Sequence, residues 1–215
     1  MTRVPRKADG GEPEGRGDRE LVYAARAGDA VAFDNLFYRY RDGIYRLGLA
    51  ITKDPSAAEE IVVDTFARAH RAIERLEPDD TLRPWLYRVA VNLSYNRRPR
   101  KGVTFSSLDE GTYDLAAEGE SPSEAAERTE RRRVVLECVD RLGPKHRIVV
   151  VLHYLNGLNL AEIAEIVEVP IGTVKSRLHY ALRKLRVQLS AHPGLDFEPA
   201  ELFTATEEQM RRQVR

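Results

Sequence analysis

Residues 157–186, GLNLAEIAEIVEVPIGTVKSRLHYALRKLR, read as a helix-turn-helix whose second helix is loaded with cations. Asn159 stands where it caps the first helix, and Glu162, three residues on, reaches back in a capping box. Leu160, Ile163, Ala164 and Val167 then share one helical face. The pattern breaks at Glu168-Val169-Pro170, because the residue before a proline is pushed out of the α region and proline has no backbone N–H to donate. In the second helix Val174, Leu178, Ala181, Leu182 and Leu185 recur at core spacing. Thr173, Lys175, Ser176, Arg177, His179, Tyr180, Arg183 and Lys184 cover its other faces, and no acidic residue occurs between Val169 and Leu195. A solvated amphipathic hairpin shares some of these traits. The short turn, the cation-only second helix and the small polar residues near its start together favour a helix lying in a DNA major groove. On its leading face Lys175, Ser176 and His179 are the base-reading candidates, since Lys donates to guanine O6/N7, Ser pairs with several bases and His hydrogen-bonds or stacks on a base edge. Thr173, Arg177 and Arg183 are better placed for phosphates, which set register without reading sequence.

Net charge says nothing of this, because 34 cationic and 34 acidic residues cancel. A protein's field is felt over a Debye length of about 8–10 Å, so segregation matters more than the sum. Residues 81–102 carry six cations and no acid, whereas 103–127 carry seven acids and no cation. A basic lobe, an acidic strap and a second basic lobe follow one another. The single cysteine, Cys138, excludes an intramolecular disulfide and falls in the apolar pattern Val134, Val135, Cys138, Leu142, where a small buried hydrophobe is expected. No run approaches the ~18 apolar residues of a membrane span, and the N-terminus lacks an apolar signal core. The expectation is a cytoplasmic protein with no direct membrane insertion.

Periodicity is helical throughout, and the expected fold class is all-α: two small helical domains joined by a flexible acidic linker. Residues 1–17 have little to bury and read as a disordered tail. The first domain, 18–101, contains a break at Gly28-Asp29 and a sharp restart at Asp54-Pro55, an N-cap with proline at the first helical position. The helix opened there turns Ala58, Ile61, Val62, Phe66, Ala69, Ile73 and Leu76 inward. Pro84 opens the next helix, Trp85–Asn96. Residues 102–127 form the linker, 128–189 the second domain with breaks at Gly143-Pro144 and Asn156-Gly157, and 190–215 a C-terminal extension.

A second constellation, RPWLYRVAVNLSYNRRPRK at 83–101, interleaves Arg88, Arg97 and Arg98 with Trp85, Asn92, Tyr95 and Asn96. Aromatics stack on unpaired bases and amides bond their edges, so this mixture suits single-stranded or melting DNA better than intact duplex. A third is the outward face of the 55–76 helix, where Val63 lies between the carboxylates of Glu60 and Asp64 and beside Ala67, as a protein contact would. Enzymatic constellations are missing from the sequence. The five histidines have neither zinc-protease spacing nor cysteine partners, and no phosphate-binding glycine loop or G-x-S-x-G occurs. No enzyme activity, metal, cofactor or small-molecule substrate is expected.

Taken together, DPSAAEEIVVDTFARAHRAI (54–73), WLYRVAVNLSYNRR (85–98) and the 157–186 segment resemble, in this order and spacing, a bacterial RNA polymerase sigma factor of the compact, extracytoplasmic-function type. The resemblance covers roughly 18–101 and 128–189. It implies a region 2-like domain at 18–101 that binds core polymerase and the −10 element, and a region 4-like domain at 128–189 that binds the −35 element. Glu60, Asp64 and Phe66 match the family's polymerase-docking motif, with Val63 and Ala67 on the same helix. Trp85, Arg88, Asn92, Tyr95, Asn96, Arg97 and Arg98 would recognise and open the −10 element, with Asn92 reading an extruded base. Lys175, Ser176 and His179 would read the −35 element, and Arg147 matches a family position near DNA. The implied partners are core RNA polymerase, promoter DNA and an anti-sigma factor. Two departures stand out: Val63 replaces a common glutamine, and residues 77–82 lack the aromatic, glycine-containing pattern often found before the tryptophan.

The linker adds a physical constraint. A flexible coil of 26 residues spans about 30 Å root-mean-square, whereas two turns of DNA measure about 68 Å. Fully extended it reaches about 85 Å, so a strap serving two elements two turns apart must be held stretched. The alternative function is a conventional helix-turn-helix regulator acting without replacing a sigma factor. It requires tight operator binding without polymerase, and a sensor domain has no use for the 85–98 strand-binding mixture.

Overall fold

The computed structural model describes residues 16–75, 82–97 and 121–192, and the regular structure among these described residues is all helical. The first domain comprises α1 (Asp18–Arg26), α2 (Ala30–Thr52), α3 (Pro55–Ala72) and α4 (Leu82–Asn96). The second comprises α5 (Pro122–Asp140), α6 (Pro144–Val150), α7 (Leu160–Ile166) and α8 (Ile171–Leu189). Residues 1–15, 76–81 (Leu76 among them), 98–120 and 193–215, and with them the expected N-terminal tail, most of the acidic linker and the C-terminal extension, lie outside the described residues.

Three helix starts follow directly from their capping residues. Gly28 adopts φ +91°, a conformation glycine enters without steric cost, and Asp29 then caps α2 by accepting from the Val31 and Ala32 amides at 3.0 and 3.2 Å. Asp54 caps α3 in the same way, 3.0 Å from the Ser56 amide and 3.3 Å from that of Ala57, with Pro55 at the first helical position. Asn159 and Glu162 form the expected capping box at α7: the Asn159 side chain accepts from Ala161 and Glu162, and the Asn159 amide donates to the Glu162 carboxylate at 2.7 Å.

The long α2 is the spine of the first domain, and Leu36, Ile44 and Leu47 share a core with Ile61 and Phe66 of α3 and Leu86 and Ala90 of α4. In the second domain Val174, Leu178, Ala181, Leu182 and Leu185 of α8 are buried, as their spacing requires, and Cys138 is fully buried. Burial raises the Cys138 thiol pKa, which keeps it protonated.

Three features differ from the sequence expectation. Helix α4 begins at Leu82, before Pro84, because a proline in the first turn gives up an amide that has no intrahelical acceptor anyway. Helix α5 begins at Pro122, so 122–127, assigned to the strap by composition, are helical. Helix α6 runs on as a π-helical turn, Val151–Leu155, before the Asn156-Gly157 break. Such single turns are rare and recur at functional positions. The two domains also touch: α4 packs against α7, and α2 against α6 and the π-turn.

Candidate nucleic-acid interface

Helix α8 turns its buried stripe toward α6 and α7 and leaves Ser176, His179, Tyr180 and Arg183 exposed, three and four residues apart and therefore on one face. Lys175 is half-buried at one edge of that face. The Ser176 hydroxyl donates to the Thr173 carbonyl at 3.0 Å, and the Arg183 guanidinium lies over the Tyr180 ring at 5.5 Å. His146 of α6 stacks on the other side of this surface, 4.6 Å from Tyr180. Burial, then Arg177 and Lys184, lower its pKa. An uncharged imidazole therefore backs a face whose charge is supplied by lysine and arginine.

On α4, Asn92, Tyr95 and Asn96 are exposed, Arg88 is half-buried, and Trp85 is partly buried against the core. The mixture of bases' partners expected there is thus split: the tryptophan anchors the helix, and the amides and Tyr95, 53% exposed, face outward. Arg97 points back, pairing with Asp64 at 3.0 Å and Glu60 at 3.2 Å. Arg98 lies outside the described residues. Glu60, Val63, Asp64 and Ala67 form one stripe on α3, with Val63 64% exposed. Arg97 therefore joins the exposed α3 stripe to the end of α4, a link that spacing alone does not reveal.

Two sequence assignments are corrected by burial. Phe66 was expected at the polymerase contact. It is 5% exposed and packs edge-on against Phe33 and Phe37, with ring centroids 6.3 and 4.8 Å away, so it supports the stripe from beneath. Arg147 was expected near DNA phosphate. Its side chain is 11% exposed, and its guanidinium donates to the carbonyls of Ala50, Val139, Asp140 and Leu142. Ala50 belongs to α2, so Arg147 ties the two domains together.

The same seam holds residues that sequence reasoning did not single out. Asn156, 8% exposed, accepts from Arg46 Nη2 at 3.2 Å on its side-chain oxygen, accepts from Arg83 on its main-chain carbonyl, and donates its own amide to Val151. Arg83 also pairs with Glu162 at 3.7 Å, and Lys53 with Asp140. A cleft of about 180 Å³ opens beside this seam, with Asn92 and Tyr95 on one wall and Val167, Glu168, Val169 and Arg177 on the other. Burial raises the pKa of the Tyr95 phenol against the opposing pull of Arg177. The signal in the sequence for Asn156 was only its Asn-Gly pair, which reads as a turn. Among the described residues no cluster of His, Cys, Asp or Glu is arranged to hold a metal, and no helix is long and apolar enough to cross a membrane.

Comparison with known proteins bears on both faces. Residues 36–103 match the family described as Sigma-70 region 2, and residues 132–185 match Sigma-70, region 4. The chain is 32% identical over 179 residues to the ECF RNA polymerase sigma factor SigW of Bacillus subtilis (strain 168), covering 80% of this chain and 96% of the relative. It is 31% identical over 173 residues to the RNA polymerase sigma-H factor of Pseudomonas aeruginosa, covering 76% and 89%. In fold it is similar to CnrH, solved in complex with the cytosolic domain of CnrY, at TM-score 0.59 and 24% identity, covering 81% of this chain and 97% of that one. A second solved likeness in fold is the sigma factor RpoE of Bartonella quintana, in complex with the anti-sigma factor NepR, at TM-score 0.57 and 19% identity, covering 74% and 96%. The two matched regions, each with a polar exposed helix face, and the near-complete coverage of SigW lead to one conclusion: this chain belongs to the ECF RNA polymerase sigma factors, which direct promoter recognition and transcription initiation.

Proposed function

We propose that this sigma factor divides its work among three surfaces, catalysing no reaction itself and acting in the cytoplasm. The domain bounded by 18–101 docks on core polymerase through Glu60, Val63, Asp64 and Ala67 and reads and opens the −10 element with Arg88, Asn92, Tyr95, Asn96 and Arg98, on a helix anchored by Trp85 and held to the docking stripe by Arg97. The domain at 128–189 reads the −35 element with Lys175, Ser176 and His179, while Thr173, Arg177 and Arg183 hold phosphates. The observation that carries this reading is the placement of two polar, outward-facing helix surfaces, on α4 and α8, in different domains. The acidic segment between them serves as a strap held by polymerase. An anti-sigma protein, of the kind bound by the Bartonella RpoE, is the expected regulator.

Run-off transcription on fragments of the source genome, with and without the chain, tests the proposal. Promoter-dependent transcripts are expected only when both core polymerase and the chain are present. Replacement of Lys175 or His179 by Ala should then change which promoters respond. Tight binding of the chain alone to a palindromic site, with no stimulation of polymerase, would replace this reading by that of a conventional regulator.

A further inference from the structure

The contacts at the domain seam are specific as well as close. The π-helical turn after α6 carries Asn156 out of its own domain and into a socket formed by Gly43, Arg46, Arg83 and Tyr87 of the other. Every polar group of its side chain is used: Arg46 donates to its oxygen, and its amide donates to Val151. Arg83 adds a bond to its main-chain carbonyl. Gly43 forms the floor. A Cβ there would come within 2.9 Å of the Asn156 side-chain oxygen and would overlap the Tyr87 hydroxyl. A buried asparagine whose side-chain oxygen is bonded by one arginine of another domain, and whose main-chain carbonyl is bonded by a second, fixes one docking register, because a shift leaves these polar groups unpaired. At the far end of the seam Arg147 reaches the Ala50 carbonyl and Lys53 meets Asp140.

This closed form conflicts with reading a promoter. Domains in contact cannot serve elements two helical turns, about 68 Å, apart on DNA. Asn92 and Tyr95 also face the turn of the helix-turn-helix across a narrow cleft, where an unstacked strand must enter. We propose that Asn156 and its arginine socket form an intramolecular clasp, which holds the free chain closed and which polymerase must break to separate the two domains. The clasp rests on the sigma-factor reading above and adds a regulatory contact within the chain itself. Its strength sets the fraction of chains competent to load, and apparent affinity for polymerase falls in proportion to that fraction.

The test uses the full chain with spin labels at Ser56→Cys on α3 and Val187→Cys on α8, both exposed, the buried Cys138 being left in place. Pulsed electron-spin distances of the free native chain should show one narrow, short population. The pair Asn156→Ala with Arg83→Met should shift most molecules to a broad, longer distribution while circular dichroism keeps its helical signal. Gly43→Ala should do the same by wedging the socket, without removing any polar group. Both should bind core polymerase about tenfold more tightly at low concentration. A native chain that is already broad and long, or clasp variants that keep the native distance with helices intact, would overturn the clasp. Distances that respond as expected, together with no promoter-dependent transcript from the native chain, would instead uphold the clasp and sink the sigma-factor reading.

Discussion

Asn159 and Glu168 bound the short α7, and their chemistry pulls in opposite directions. Asn159 supplies two hydrogen bonds to a seven-residue helix that has little propensity to stand alone, and Asn159→Ala should destabilise the fold by about 1 kcal/mol in urea titration. Glu168 sits at φ 52°, left-handed backbone that disfavours side chains with a Cβ. Glu168→Gly should therefore stabilise by about 1 kcal/mol, read as a rise of roughly 2–4 °C in Tm. His146 gives a pH dependence with a definite sign. Its folded pKa is lowered from 6.5, so the unfolded chain takes up the proton first as pH falls. The stability it contributes is complete above about pH 6.5 and is lost as pH drops toward the folded value. His146→Gln should flatten that part of the Tm-against-pH curve, and an unchanged slope between about pH 7 and 5 would remove this role.

At the scale of helices, α3 and α8 offer the cleanest separation of tasks. Val63 stands exposed on the α3 stripe, so Val63→Lys should abolish pull-down by core polymerase while leaving thermal unfolding within about 0.5 kcal/mol of native. Phe66→Ala would lose both, since it leaves a cavity beneath the stripe worth about 3–5 kcal/mol. On α8, Arg183→Ala should weaken −35 DNA binding evenly across sequences and reduce the salt slope by about 1, whereas His179→Ala should alter preference between sequences. These helices were legible in the chain because caps, proline positions and 3.6-residue periodicity are local: Asp54-Pro55 and Asn159/Glu162 act as read. Phe66 and Arg147 were misassigned for a common reason. A motif position says which residue type recurs, and only packing says whether its side chain faces water.

At the scale of the molecule, the seam combines ion pairs and carbonyl bonds that water would otherwise satisfy. Removing one member of a partly buried pair leaves the other charge less compensated, here with Arg147 still 4.0 Å from Asp140, so Lys53→Met alone should loosen the closed form more than Lys53→Met with Asp140→Leu. The spin-label distances described above report both outcomes. The capped starts of α2, α3 and α7, the two apolar stripes of the helix-turn-helix, the cation-only face of α8 and the order of the three motifs were determined by the sequence alone, because each depends on residues within a few positions of one another. Which arginines are drawn into contacts within the protein was decided only by tertiary structure. Arg97 turns to Glu60 and Asp64, Arg147 to the Ala50 carbonyl, and Arg83 to Asn156. In the linear chain these partners lie 33 to 97 residues apart. Guanidinium groups go to whatever acceptor the packed fold brings within reach, and no local pattern encodes where that acceptor lies.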